Sequence, residues 1–162
     1  MLSNSSNVLV TNNHFTNNGI GIILYGSNHN DISGNVSNSN TQYGLYMEKS
    51  SGNRVEKNTA NLNKDKGFFI SYSHENRIIG NSVNLNSWDG IMVFASNGNT
   101  LSGNRTLRNT YGLVISESAN NEVSENVTIP NLFLILPIVL VYLGVVSYMI
   151  QKNILKLVYK ER

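Results

Sequence analysis

Residues 27–50 read SNHNDISGNVSNSNTQYGLYMEKS, and the spacing within this stretch returns along most of the chain. Ser27 opens it, Asn30, Ile32 and Asn35 follow, then Asn40, Gly44, Leu45 and Met47, and Ser50 opens the next copy. The central segment, Asn-x-(Leu/Ile/Val)-x-x-Asn, occurs six times: Asn7-Leu9-Asn12, Asn30-Ile32-Asn35, Asn53-Val55-Asn58, Asn76-Ile78-Asn81, Asn99-Leu101-Asn104 and Asn121-Val123-Asn126. Successive starts lie 23, 23, 23, 23 and 22 residues apart, and one deletion between Asn109 and Gly112 accounts for the short step. Other columns keep the period: Asn17, Asn40, Asn63, Asn86 and Asn109, then Gly21, Gly44, Gly67, Gly90 and Gly112, and finally Ser27, Ser50, Ser73, Ser96 and Ser118. A repeat of this length is one supersecondary unit that cannot bury its apolar face alone, so its neighbours must stack on it.

Each column Gly starts a Gly-apolar-x-apolar alternation, the two-residue period of a half-buried strand. No helical apolar stripe occurs before residue 128, and the hallmarks of leucine-rich, ankyrin and tetratricopeptide repeats are missing. The predicted fold is all-β: a right-handed parallel β-helix of about six coils, three short strands to a coil. Coils ~4.8 Å apart place equivalent side chains directly above one another. Asn12, Asn35, Asn58, Asn81, Asn104 and Asn126 are therefore expected to form a ladder in which each amide donates to one neighbour and accepts from the next.

Composition narrows the function. The chain has 162 residues and no Cys, which excludes disulfide scaffolds, thiol nucleophiles and thiolate metal sites. It carries 28 Asn, a residue that favours turns and tolerates positive φ. The net charge of +2 is local, because Lys152, Lys156, Lys160 and Arg162 crowd the last eleven residues against Glu161 alone. The remaining body has eight basic and nine acidic residues, no basic face for nucleic acid.

The string Ser-x-x-Asn-x-Ile-x-x-Asn-x-x-x-x-Asn-x-x-x-Gly-Ile-x-Leu resembles the parallel β-helix repeats of NosD-like proteins, over about residues 5–127. These belong to a wider class of carbohydrate-binding and sugar-hydrolase β-helices, with many archaeal surface proteins among them. The resemblance is specific for fold and weak for function, since one repeat serves many activities.

Leu132–Ile150 is a run of 19 residues without charge, about the length that spans a bilayer core. Three segments are predicted: a β-helix at 1–127, a transmembrane helix at 128–151 and a basic tail at 152–162. The tail's Lys152, Lys156, Lys160 and Arg162 place the C-terminus in the cytoplasm and the repeats outside it. Residues 1–20 show neither a basic n-region nor an apolar h-region. The sequence is therefore read as the C-terminal piece of a longer protein, as a mis-started reading frame, or as a short accessory protein exported by other means.

Catalytic chemistry finds few residues. The body contains three Asp. Asp31 precedes Arg54 and Arg77 in its column, which predicts a surface ion-pair stack. Asp65 and Asp89 could approach each other across one coil step, but Lys64 and Lys66 beside Asp65 favour a solvated turn. The NosD resemblance implies copper, yet His14, His29 and His74 fall in three different columns, with His29 and His74 about two coils (~10 Å) apart, too far to share an ion. Met47 is expected to point inward and Met92 outward. No catalytic residue, metal ligand or cofactor is expected.

One feature exceeds the needs of a strand. In Gly-apolar-x-apolar the middle residue faces outward, and that column reads Ile23, Tyr46, Phe69, Met92 and Val114. Tyr25 and Phe94 face the same side two residues on. Ile23, Tyr25, Tyr46, Phe69, Met92 and Phe94 form the candidate face for a surface glycan or another extracytoplasmic protein. The sequence thus predicts a membrane-anchored, non-enzymatic surface protein acting as spacer or binding module. Its rivals are a carbohydrate-binding or carbohydrate-active β-helix whose catalytic coils lie outside this chain, and a NosD-like accessory factor for metallocentre maturation.

Overall fold

A computed structural model describes residues 1–160 in backbone, and their side chains except at 133–135, 138 and 154–160. The chain divides into two compact units, Met1–Pro130 and Asn131–Arg162.

The first unit is a parallel solenoid of about six coils. One sheet stacks β1 (Leu2–Ser3), β3 (Ile22–Tyr25), β5 (Leu45–Glu48), β7 (Phe68–Ser71), β9 (Asp89–Phe94) and β12 (Tyr111–Ser116). The second stacks β2 (Leu9–Thr11), β4 (Asp31–Ser33), β6 (Arg54–Glu56), β8 (Arg77–Ile79), β10 (Thr100–Ser102) and β13 (Glu122–Ser124). The third strand expected in every coil is a correction. That side is held by single bridges, His14 to Val36, Val36 to Thr59, Thr59 to Ser82 and Ser82 to Arg105. It widens into true strands only where β11 (Arg105–Asn109) pairs with β14 (Val127–Pro130).

Inward side chains from both sheets fill one core: Leu24, Met47, Ile70 and Val93 from one, Ile32, Val55, Ile78 and Leu101 from the other, all fully buried. Burying each such side chain contributes roughly 1.5–3 kcal/mol, and each coil shields the next. The column glycines are demanded by this packing. A Cβ on Gly67 would overlap Val83 Cγ1 and lie 2.7 Å from both Asn86 Nδ2 and the Gly90 carbonyl oxygen.

Four corners per coil adopt left-handed backbone, and each immediately precedes a ladder residue: Gly26 before Ser27, His29 before Asn30, Gly34 before Asn35 and Ser39 before Asn40. This rule corrects the first repeat. There Asn7, Asn12 and Asn17 occupy the left-handed positions, with φ of 58°, 55° and 59°. Asn12 is therefore not a rung; Asn13 is, donating its backbone N–H and its Nδ2–H to Asn35 Oδ1 at 3.0 and 3.1 Å. Likewise Val10, not Leu9, pairs with Ile32, and the first step is 22 residues. The physical reason is twofold: Asn tolerates positive φ better than other residues with a side chain, and this register turns Leu2, Val10 and Phe15 against the core while Leu9 stays 67% exposed.

The second unit contains one helix, α1 (Leu132–Lys160), whose backbone covers the whole Leu132–Ile150 stretch. Among the described residues no helix is long and apolar enough to cross a membrane. The expected span includes residues 133–135 and 138, whose side chains lie outside the described residues, as do those of Lys156 and Lys160; Glu161 and Arg162 lie outside them altogether.

Candidate functional site

The outer surface of the first sheet carries the site. Because strands stack in parallel register, Ile23, Tyr46, Phe69 and Met92 sit on consecutive rungs. Tyr46 and Phe69 stack with ring centroids 5.4 Å apart and planes 26° apart. Tyr43 closes the cluster, its ring 5.6 Å from Tyr46 and 5.5 Å from Phe69. Tyr25 lies under Lys49, whose Nζ is 5.9 Å from the ring, and Phe94 meets Tyr72 edge-on at 5.9 Å.

Lys66 lies over this cluster, with Nζ 5.9 Å from the Tyr43 ring and 5.7 Å from Phe69. The same ammonium reaches Asp65 Oδ1 at 2.8 Å and Asp89 Oδ2 at 3.6 Å. The solvated turn expected around Asp65 is thus a correction: Lys66 is largely covered and Asp89 is buried. Aromatic faces attract a desolvated cation, and the two carboxylates balance it.

The electrostatics follow from that enclosure. Burial pushes the Asp89 carboxyl above the usual carboxylate range, although Lys66 pulls the other way. Burial lowers the affinity of Lys66 for its proton, but the hydrogen bond and charge of Asp65, with Asp89, outweigh it and hold the ammonium above the ordinary lysine value. The Tyr43 hydroxyl is raised by burial and by Asp65. Burial raises the Tyr46 hydroxyl too, helped by the bond it donates to Glu48 Oε2 at 2.7 Å. All four groups keep their protons more tightly than in water.

Sequence reasoning named Ile23, Tyr25, Tyr46, Phe69, Met92 and Phe94, placed Asp65, Asp89 and Lys66 near one another but read them as a solvated turn, and missed Tyr43. A signal existed. Tyr43, Lys66, Asp89 and Tyr111 each stand immediately before a column Gly, so they form a column of their own. Trp88 is 55% exposed, and its backbone N–H donates to the Asp65 carbonyl at 2.9 Å.

The second sheet's outer face is a charge stack. Arg54 reaches Asp31 at 3.1 Å and also Glu56 at 2.6 Å, while Asp31 Oδ1 is buried with no hydrogen-bond partner among the described residues. The hydrogen bond from Arg54 holds the Glu56 carboxyl below its usual range against the effect of burial. Both acceptors engage one guanidinium, so this face offers no unpaired cation at Arg54.

Comparison with known proteins places the fold in a family. The sequence profile described as NosD, periplasmic copper-binding protein, matches residues 1–133, and the chain belongs to that family. No curated protein matches the chain. Crystal structures of the periplasmic alginate epimerase AlgG share its fold: a double mutant at TM-score 0.61 and 18% identity, covering 78% of this chain and 42% of that one, and the unmutated protein at TM-score 0.63 and 16% identity, covering 74% and 35%. The chain therefore spans about two-fifths of those epimerases' length.

The family description raises copper. His14 sits in a bridge with Val36, His29 turns back over Gly52, and His74 uses Nδ1 to accept the Asn97 backbone N–H at 3.0 Å. Met47 is fully buried in the core. Among the described residues no three of His, Cys, Asp and Glu come together as a metal-binding group. Copper favours grouped imidazole and sulfur ligands, and these residues do not supply them.

Proposed function

We propose that this chain is a non-enzymatic, extracytoplasmic glycan-binding module, its β-helix serving as a rigid support for the aromatic face. The observation that carries the reading is the Tyr43–Tyr46–Phe69 cluster with Lys66, Asp65 and Asp89 at its edge. The half-buried rings, stacked on one another, offer a continuous apolar surface for the C–H side of a sugar, and a few fixed polar groups set its orientation. The non-enzymatic part is supported by the pairing of Lys66, whose ammonium is held between Asp65 and Asp89 and so is not a free base, and by the tyrosines, which burial holds protonated. Asp89 is the exception, since burial raises its carboxyl toward the range that acid–base chemistry uses.

Anchoring to a membrane by α1 rests on sequence: the uncharged run Leu132–Ile150 followed by Lys152, Lys156, Lys160 and Arg162. A second reading is favoured by one observation. Because the chain spans only 35–42% of the epimerase chains, catalytic coils could lie outside this sequence, and the face described above would then be a binding extension of them.

Affinity electrophoresis of the full chain in detergent, through gels containing neutral polysaccharide, tests the proposal. The wild type is expected to be retarded. Tyr46→Ser combined with Phe69→Ser is expected to migrate freely while retaining the wild-type circular dichroism spectrum. Retardation that survives in a folded double variant would assign these rings to strand packing alone.

A further inference from the structure

We infer that the aromatic face selects neutral sugars against polyuronates, an inference that rests on the glycan-binding reading. The cation at the rings is Lys66, and it already faces two carboxylates, Asp65 at 2.8 Å and Asp89 at 3.6 Å. Glu48 adds a third acidic group through its bond to the Tyr46 hydroxyl. One cation against three carboxylates leaves the immediate surroundings of the stacked rings acidic. Lys49 lies over Tyr25, the residue that pairs in register with Glu48, at the far edge of the cluster from Lys66, and among the described residues it makes no cation–π contact with Tyr43 or Phe69.

A uronate entering over Tyr46 and Phe69 would bring its carboxylate toward Asp65 and Asp89. Like charges at close range in a partly desolvated site repel strongly. Recognition of a carboxylate calls for an unpaired Arg or Lys in a bidentate or point-charge contact, and Lys66 is engaged on both sides. Sugar hydroxyls meet the opposite situation, since carboxylate oxygens are strong acceptors for them. Asp89, buried and fixed, is suited to orient such a hydroxyl at low entropic cost.

The test measures binding of the full chain in detergent by isothermal titration calorimetry, with cello-oligosaccharide, manno-oligosaccharide and an oligouronate of equal length, at low and high salt. A neutral oligosaccharide is expected to bind at least about tenfold tighter than the uronate at low salt, with the gap narrowing as salt screens the repulsion. Asp65→Asn is expected to narrow the gap at low salt, chiefly by improving the uronate. Uronate binding equal to or tighter than neutral binding in the wild type overturns the inference and leaves glycan binding standing. Failure of all three sugars to bind overturns the glycan-binding reading, and the inference with it.

Discussion

Asn58 Oδ1 accepts two hydrogen bonds from Asn35, one from its backbone N–H at 2.9 Å and one from its Nδ2 at 3.1 Å. Asn58 in turn donates from Nδ2 to the Ile32 carbonyl at 2.7 Å and to Asn81 Oδ1 at 3.2 Å. One amide thus satisfies donors and acceptors on three coils at a corner where the strand ladder lapses. A buried group left unpaired costs about 1–3 kcal/mol. Asn58→Ala is therefore expected to destabilise the chain by about 3 kcal/mol or more in denaturant unfolding, with a smaller loss for Asn126→Ala on the last coil, where no later rung follows.

The register of the first coil separates two neighbouring apolar residues. Val10 packs on the core and Leu9 is exposed. Val10→Ala should lower stability by about 1 kcal/mol, while Leu9→Ala should stay within about 0.5 kcal/mol. The opposite order in equilibrium unfolding would restore the register with Asn12 on the ladder.

Gly67 tests the close approach of coils. Ala there would press on Val83 and, at 2.7 Å, on the Gly90 carbonyl oxygen. Overpacking of this kind typically costs about 1–3 kcal/mol, and contact with backbone places Gly67→Ala at the upper end. Adding Val83→Ala should restore only part of the loss, because the carbonyl contact persists; a melting series of the three variants reads this directly.

Acid should weaken the second sheet's charge stack. The Glu56 carboxyl is held below its usual value by Arg54. A lowered folded-state pKa gives stability that is present above the unfolded value, about 4.3, and lost as pH falls through the folded one. Glu56→Gln should therefore melt below wild type at pH 7, and the difference should close as pH falls below the ordinary glutamate range.

The proposed membrane anchoring is tested by charge. Leu140 and Val141 lie near the middle of the uncharged run, where one Asp costs roughly 2.5–3.5 kcal/mol of insertion. Leu140→Asp with Val141→Asp should release the chain from membranes in an alkaline wash that leaves wild type in the pellet. Release of both would remove membrane anchoring from the account.

Much of this architecture was legible because stacking turns a spacing into a column. The inner Leu, Ile and Val and the rungs from Asn35 to Asn126 needed only the period. The first coil misled for a physical reason: Asn12 and Asn13 stand side by side, and Asn suits both a left-handed corner and a ladder, so spacing alone could not choose. Val127–Pro130 was hidden because an apolar strand runs straight into the apolar start of α1. The Lys66 clamp was legible in part: spacing brings Asp65 and Asp89 together across one coil step, but Lys66 and Asp89 share the column before Gly while Asp65 comes from the position preceding it, and charges at a turn read as solvated. Only the turn into β7 shows that one ammonium meets both carboxylates.

Trp88 is the single tryptophan of the chain, 55% exposed and next in sequence to Asp89, whose carboxylate meets Lys66 at the edge of the proposed binding face. Titrating the full chain with a neutral oligosaccharide while following its fluorescence tests the central claim most directly. The account predicts a saturable change that disappears in Tyr46→Ser with Phe69→Ser. A flat titration, or an unaltered one in the folded double variant, would contradict it.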